Sequence, residues 1–244
     1  MKSRNGMKKL GVFAVIVMIL VCAAALAVAV MSFLRGGESP VRDILGGVLI
    51  EKEQNPKLTW QTGETEGDVT AVIKTDLGEI VFKLDGSKAA ERFIESAGDF
   101  GGASFEIIAE NLFIQVPALT KSAGEYEENE LGCFYGAVGF VSEDGKVSDS
   151  LVIITAKELS GISKAYVSGE NFDLERGEFY ESFGGVPEYE GKIQVFGQVI
   201  DGFGVLEKIA AAETSGYTGG YAAENPVEII SVTVRYPKPE GQLE

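Results

Sequence analysis

The stretch Thr70–Leu84 constrains this chain more than any other. It reads Thr-Ala-Val-Ile-Lys-Thr-Asp-Leu-Gly-Glu-Ile-Val-Phe-Lys-Leu. Two runs rich in Val, Ile and Phe flank Thr75-Asp76-Leu77-Gly78, where Gly78 can take the positive φ of a tight turn. In the second run Ile80, Phe82 and Leu84 alternate with Val81 and Lys83, the period of a strand with one buried face. A β-hairpin is therefore expected. Ser87–Ala97 follows with helical spacing, placing Ala89, Ala90, Phe93, Ile94 and Ala97 on one face.

The rest of the chain continues in short apolar runs. Phe105–Ile108, Leu112–Val116, Gly136–Val141, Leu151–Thr155 and Gln194–Ile200 read as strands. Gly204–Ala212 reads as a second helix, and Val227–Val234 as a closing strand. Many short strands with two helices point to a mainly β fold, a closed barrel capped by the helices, over residues 69–236. Ser160–Glu190 is polar with interspersed aromatics and reads as an insertion. Its rings, Tyr166, Phe172, Phe179, Tyr180 and Phe183, read as packing for a long segment, with an interaction surface as the alternative. The Gly216–Gly220 stretch reads as a flexible loop.

Before the domain lies Leu10–Leu34, an uncharged and predominantly apolar run. At 1.5 Å per residue it is long enough for a bilayer core of about 30 Å. Basic residues of the 1–9 tail precede it, which by the positive-inside rule leaves the N-terminus cytoplasmic and the domain outside. The expectation is a single-pass anchor over 10–34. A signal peptide cleaved near Ala27-Val28-Ala29, giving a secreted protein, is the competing reading. Residues 35–68 read as a spacer in which Trp60 packs on the domain, and 237–244 as a disordered tail.

Composition excludes several chemistries. Beyond residue 35 the chain holds 16 of its 21 basic residues and all 37 acidic ones, a net charge of −21. Such a surface repels nucleic acid. There is no histidine, so histidine-based hydrolase schemes are out. The two cysteines, Cys22 and Cys133, cannot build a cysteine-rich zinc site, and Cys133 reads as a free, buried thiol. The acids Glu125, Glu127, Glu128, Glu130, Asp144 and Asp149 lack EF-hand spacing and read as solvated surface. No metal or cofactor is expected.

Four landmarks in order carry a family resemblance. They are Ala71–Ile80; Phe105 followed by Phe113-Ile114-Gln115; Val152-Ile153-Ile154-Thr155-Ala156-Lys157; and Gly191-Lys192-Ile193-Gln194-Val195-Phe196-Gly197-Gln198-Val199. Together they resemble the cyclophilin-type peptidyl-prolyl cis-trans isomerases over about residues 70–235. The resemblance implies a cyclophilin-like barrel and rotation about X-Pro bonds. That barrier of about 18–20 kcal/mol comes from amide conjugation, and lowering it requires an apolar pocket and a cation at the prolyl nitrogen, with no cofactor. It also implies a substrate groove of Phe105, Ile107, Leu112, Phe113, Gln115, Val141, Val152, Tyr189 and Ile193, and as partner a proline-containing peptide or extracytoplasmic client.

The departures from the family pattern fall on that groove. Ile107 stands where the family has its catalytic Arg, Glu106 and Ile193 where it has His, and Glu188 or a neighbour where it has the pocket Trp. Gln115, which orients substrate backbone in the family, is retained. Weak or lost catalysis is expected, with a non-catalytic peptide-binding module as the alternative. Among Arg92, Arg176 and Arg235, only Arg176 is placed in a segment able to fold over the groove.

Overall fold

The structure, a computed structural model, describes residues 55–64, 67–119, 124–170, 172–217 and 220–237. The expected anchor at 10–34, Cys22, most of the 35–68 spacer and the 238–244 tail lie outside the described residues.

The first hairpin forms as the alternation demands. Strand β1 (Thr70–Thr75) pairs antiparallel with β2 (Gly78–Leu84), with Thr75 opposite Gly78. Thr75 stitches the turn: its Oγ1 donates to the Gly78 carbonyl at 2.9 Å and accepts from Leu77 N. Ile80, Phe82 and Leu84 all point into the core. The remaining strands are β3 (Ser104–Ala109), β4 (Phe113–Val116), β5 (Gly124–Glu125), β6 (Ala137–Glu143), β7 (Lys146–Ile154), β8 (Ile193–Asp201), β9 (Thr214–Tyr217) and β10 (Gly220–Arg235). Their order around the ring is β1-β2-β8-β6-β7-β4-β3-β10, and β10 pairs back onto β1. The barrel is thus closed by eight strands, which leaves no unpaired edge in the ring. Short β5 adds to β7, and β9 to β10. Within the stretch expected as a loop, Gly216 and Tyr217 belong to β9 and Gly220 to β10, with Gly220 opposite Tyr217.

Two helices complete the interior. Helix α2 (Lys88–Ser96) is capped by Ser87, whose Oγ accepts from Ala90 N. It inserts Phe93 among Phe82, Phe100, Phe140 and Phe196, with centroid distances of 5.3 to 6.4 Å. Helix α5 (Phe203–Ala210) buries Leu206 and Ile209 in the same core.

Two further parts pack on the outside. Helix α1 (Pro56–Thr62) lies within the segment read as a spacer. Asn55 caps it, and Pro56 occupies the first turn, where a missing N–H costs nothing. The insertion folds as α3 (Gly161–Val167), α4 (Leu174–Phe183) and a short 3₁₀ turn at Pro187–Tyr189. Its rings do pack: Tyr180 is fully buried, 4.6 Å from the Phe134 ring, with Phe172 and Phe179 around it. Tyr166 and Phe183 keep substantial exposed surface. Leu58 of α1 joins this satellite core, and Asn55 N donates to Glu175 of α4 at 2.8 Å.

Candidate functional site

Antiparallel register fixes which side chains share a face, because residues directly opposite point the same way. On the outer side of the barrel one such row runs Ile107, Gln115, Val152, Gly139, Val195 across β3, β4, β7, β6 and β8. Gly139 has no side chain, and any Cβ there would meet Ile193 Cγ2 at 2.5 Å. The missing methyl lets Ile193 lie across the row. Val141, directly opposite Ile193, stands beside it. Val152, Val195 and Ile193, with Val141 packed against them, belong to an apolar cluster separate from the barrel interior.

Over this row the surface dips into a cavity of about 480 Å³. Phe113, Val141, Val152, Tyr189 and Ile193 supply its apolar lining. The Phe113 and Tyr189 rings meet edge to face at 5.8 Å. Gln115 stands at the polar margin with Ser142, Glu143, Asp144 and Lys192. The Gln115 carboxamide is oriented: Nε2 donates to Ser150 Oγ at 2.7 Å, and that hydroxyl donates to the Val116 carbonyl at 2.9 Å. Lys192 holds its ammonium 5.5 Å from the centroid of the Tyr189 ring, a cation–π arrangement. Burial raises the Tyr189 phenol above its ordinary pKa, so it remains neutral. The arrangement suits a small apolar ring, with an amide at its edge for hydrogen bonding to backbone.

Six of the nine groove residues expected from sequence line this cavity: Phe113, Gln115, Val141, Val152, Tyr189 and Ile193. Three do not. Phe105 has no exposed surface and packs in the barrel interior. The reason is a register break on β10 between Ala222 and Val227, opposite Ile107 and Phe105 respectively; Phe105 turns inward while Ile107 stands in the outer row. Leu112 packs half-buried at the edge of the outer cluster. Ile107 is half-buried beside Gln115, directly opposite it in the β3–β4 ladder, without lining the cavity itself.

Arg176 is committed elsewhere. Its Nε donates to Glu190 Oε1 at 2.6 Å, and its other nitrogens to the Glu130 and Leu131 carbonyls at 3.1 and 2.6 Å. Burial works against its charge, but Glu190 more than offsets this, so the guanidinium stays protonated. Glu188 bonds within the insertion, accepting from Ser163 Oγ at 3.1 Å. Sequence reading missed the polar margin. A signal was there: Asp144-Gly145 is a hairpin-turn dipeptide, and both residues have positive φ, 50° and 74°. That tight turn brings Glu143 and Asp144 to the margin.

Comparisons with known proteins agree with this architecture. The model of the family "Cyclophilin type peptidyl-prolyl cis-trans isomerase/CLD" matches residues 70–234. A Staphylococcus aureus protein named "Putative peptidyl-prolyl cis-trans isomerase" is 28% identical over 162 residues, covering 59% of this chain and 82% of its own. A Staphylococcus epidermidis protein of the same name is 26% identical over 162 residues, with the same coverage. A crystal structure of a Cryptosporidium parvum cyclophilin type peptidyl-prolyl cis-trans isomerase superposes with a TM-score of 0.52 at 15% identity, covering 70% of this chain and 99% of that one. The same enzyme in the presence of the dipeptide Ala-Pro gives 0.51 at 15% identity, covering 69% and 99%. With the closed eight-stranded barrel and the family match running from β1 almost to the end of β10, this chain belongs to the cyclophilin-type peptidyl-prolyl cis-trans isomerase family.

Proposed function

We propose that this chain is a membrane-anchored, extracytoplasmic cyclophilin-like protein that grips proline-containing segments of client proteins, with isomerase activity weakened or lost. The carrying observation is the ladder in which Ile107, not a cation, stands opposite Gln115 beside an apolar cavity. Phe113, Val152, Tyr189 and Ile193 offer a proline ring an apolar seat, and Gln115 offers its peptide a hydrogen bond. Isoleucine cannot donate to the prolyl nitrogen. Loss of a preorganised donor costs on the order of 10²–10³ in rate. Lys192 is the one cation among the residues lining this cavity, and it rests on Tyr189. The anchor reading rests on the uncharged run Leu10–Leu34 and the basic residues before it.

The test is an exchange-NMR assay of cis/trans interconversion in an Ala-Pro peptide with the full-length protein. The expected result is binding with a rate on the order of 10²–10³-fold below that of a groove carrying the cation, such as the Ile107→Arg variant. Rates typical of an efficient isomerase, unaffected by Gln115→Ala, would overturn the proposed groove. The non-catalytic binding module is the second reading, favoured by the same Ile107. Binding with no acceleration at all would select it.

A further inference from the structure

A second cavity of about 630 Å³ adjoins the proline pocket, sharing Gly191 and Ile193 with it. It exists because of the insertion. Tyr166, Phe172, Asp173 and Arg176 come from that segment and face Tyr126 and Glu128 of the loop after β5. We propose that this cavity is a subsite for a basic side chain, lysine or arginine, carried by the same peptide within one or two residues of its proline. The inference rests on the peptide-binding reading above and specifies its substrate class.

Three observations select that occupant. First, the positive charge of Arg176 is already spent. It pairs with Glu190 at 2.6 Å and donates to two carbonyls, with 17% of its side chain exposed. Second, Glu128 and Asp173, both exposed, remain as carboxylates in the lining. Asp173 caps α4 through Oδ1 on Arg176 N at 2.8 Å, which uses an acceptor lone pair without neutralising the charge. Third, Tyr126, Tyr166 and Phe172 line the same space, and the last two meet edge to face at 5.6 Å. Aromatic faces attract cations and accept the methylene stems of Lys and Arg. An acidic side chain would meet Glu128 and Asp173 before reaching the buried guanidinium. A purely apolar one would gain nothing from those carboxylates. Extended chain advances about 3.3–3.6 Å per residue, so a residue beside the proline reaches an adjoining subsite without bending. Gly191 forms part of the shared wall with no side chain to obstruct it.

The experiment is a titration of the full-length protein with equal-length peptides around Ala-Pro. Lys, Ala or Glu is placed one or two residues before or after the proline. On one side only, Lys should bind about tenfold tighter than Ala, and Glu more weakly, a cation–π and charge contribution of ordinary size. Glu128→Lys and Tyr166→Ala should each abolish that preference while the Ala peptide binds as before. Asp76→Lys, in the distant β1–β2 turn, should leave it intact and so control for the overall negative charge. Equal binding of Lys and Ala peptides, or equal loss in Asp76→Lys and Glu128→Lys, overturns the subsite while the proline groove stands. Failure of every Pro peptide to bind better than its Gly counterpart overturns the groove itself, and the subsite with it.

Discussion

At position 107 an isoleucine faces the same side of the barrel as Gln115, directly across the β3–β4 ladder. Ile107→Arg would place a guanidinium beside the oriented carboxamide. It should raise isomerisation of an Ala-Pro peptide by up to about 10²–10³-fold, measured by exchange NMR; no gain would mean the groove cannot present the prolyl nitrogen to that position. Lys83 raises a different question. It points outward from β2 yet has no exposed surface, because α1 covers it. Its ammonium donates to the Trp60 and Gly63 carbonyls at the C-terminus of α1 and lies 4.8 Å over the Trp60 ring. That is the helix end a cation favours. Burial lowers its pKa, with Asp68 acting in the opposite sense. The folded state therefore holds this proton less tightly than the unfolded chain. Stability should rise with pH up to the ordinary lysine value of 10.5, as the penalty for a buried charge is relieved. Urea melts from pH 7 to 10.5 should show that slope, and Lys83→Met should flatten it.

Among the elements, α1 and the insertion hold each other and the barrel. Gln61 of α1 is almost fully buried, and its carboxamide brackets Gly132: Nε2 donates to the carbonyl and Oε1 accepts from the amide, each at 2.8 Å. The same Nε2 reaches Gln198 Oε1 at 3.0 Å. Gln61→Leu leaves a buried amide and carbonyl unpaired, at a cost of about 1–3 kcal/mol each. The denaturation midpoint should fall accordingly. Chains beginning at Gly67 should be destabilised more, since they lose α1 and expose Lys83. On the insertion, Tyr180 Oη accepts from Cys133 N at 2.8 Å and donates to Glu190 at 2.6 Å. Tyr180→Phe should lower stability by about 1–3 kcal/mol and release the Arg176–Glu190 corner. A midpoint equal to wild type would show that the insertion is not tied down through this hydroxyl.

For the whole molecule, closure of the sheet and covering of its outer face determine which parts open. β7 and β8 are buried along most of their length, whereas β9 and the start of β10 project beyond the ring. Amide hydrogen exchange should be slowest in β6, β7 and β8 and fastest in the β9–β10 hairpin. The cavity pair described above lies on the outer face, where the insertion extends it. The proposed anchoring has its own test at this scale. Protease added to intact cells should digest the domain away from a protected N-terminal remnant; protection of the whole chain would place the domain inside.

The one-dimensional pattern determined the elements whose stability comes from local alternation and spacing. The Thr70–Leu84 hairpin, the Ser87–Ala97 helix and the Val227–Val234 closing strand carry their own periodicity, and each sits where that periodicity placed it. The family landmarks contain Phe113, Gln115, Val152 and Ile193, which strand register brings to the lining of one cavity. Three matters were decided only in three dimensions. Phe105 turned inward because the β10 register breaks opposite it, and no residue in β3 announces a break in its neighbour. Helix α1 (Pro56–Thr62) docks on the barrel because Lys83, Gln198 and Gly132, far away in sequence, satisfy polar groups of Gly63 and Gln61. Arg176 was taken from the groove by Glu190 and two loop carbonyls. Long-range partners settle such choices, since a buried charge or amide goes where its hydrogen bonds can be met.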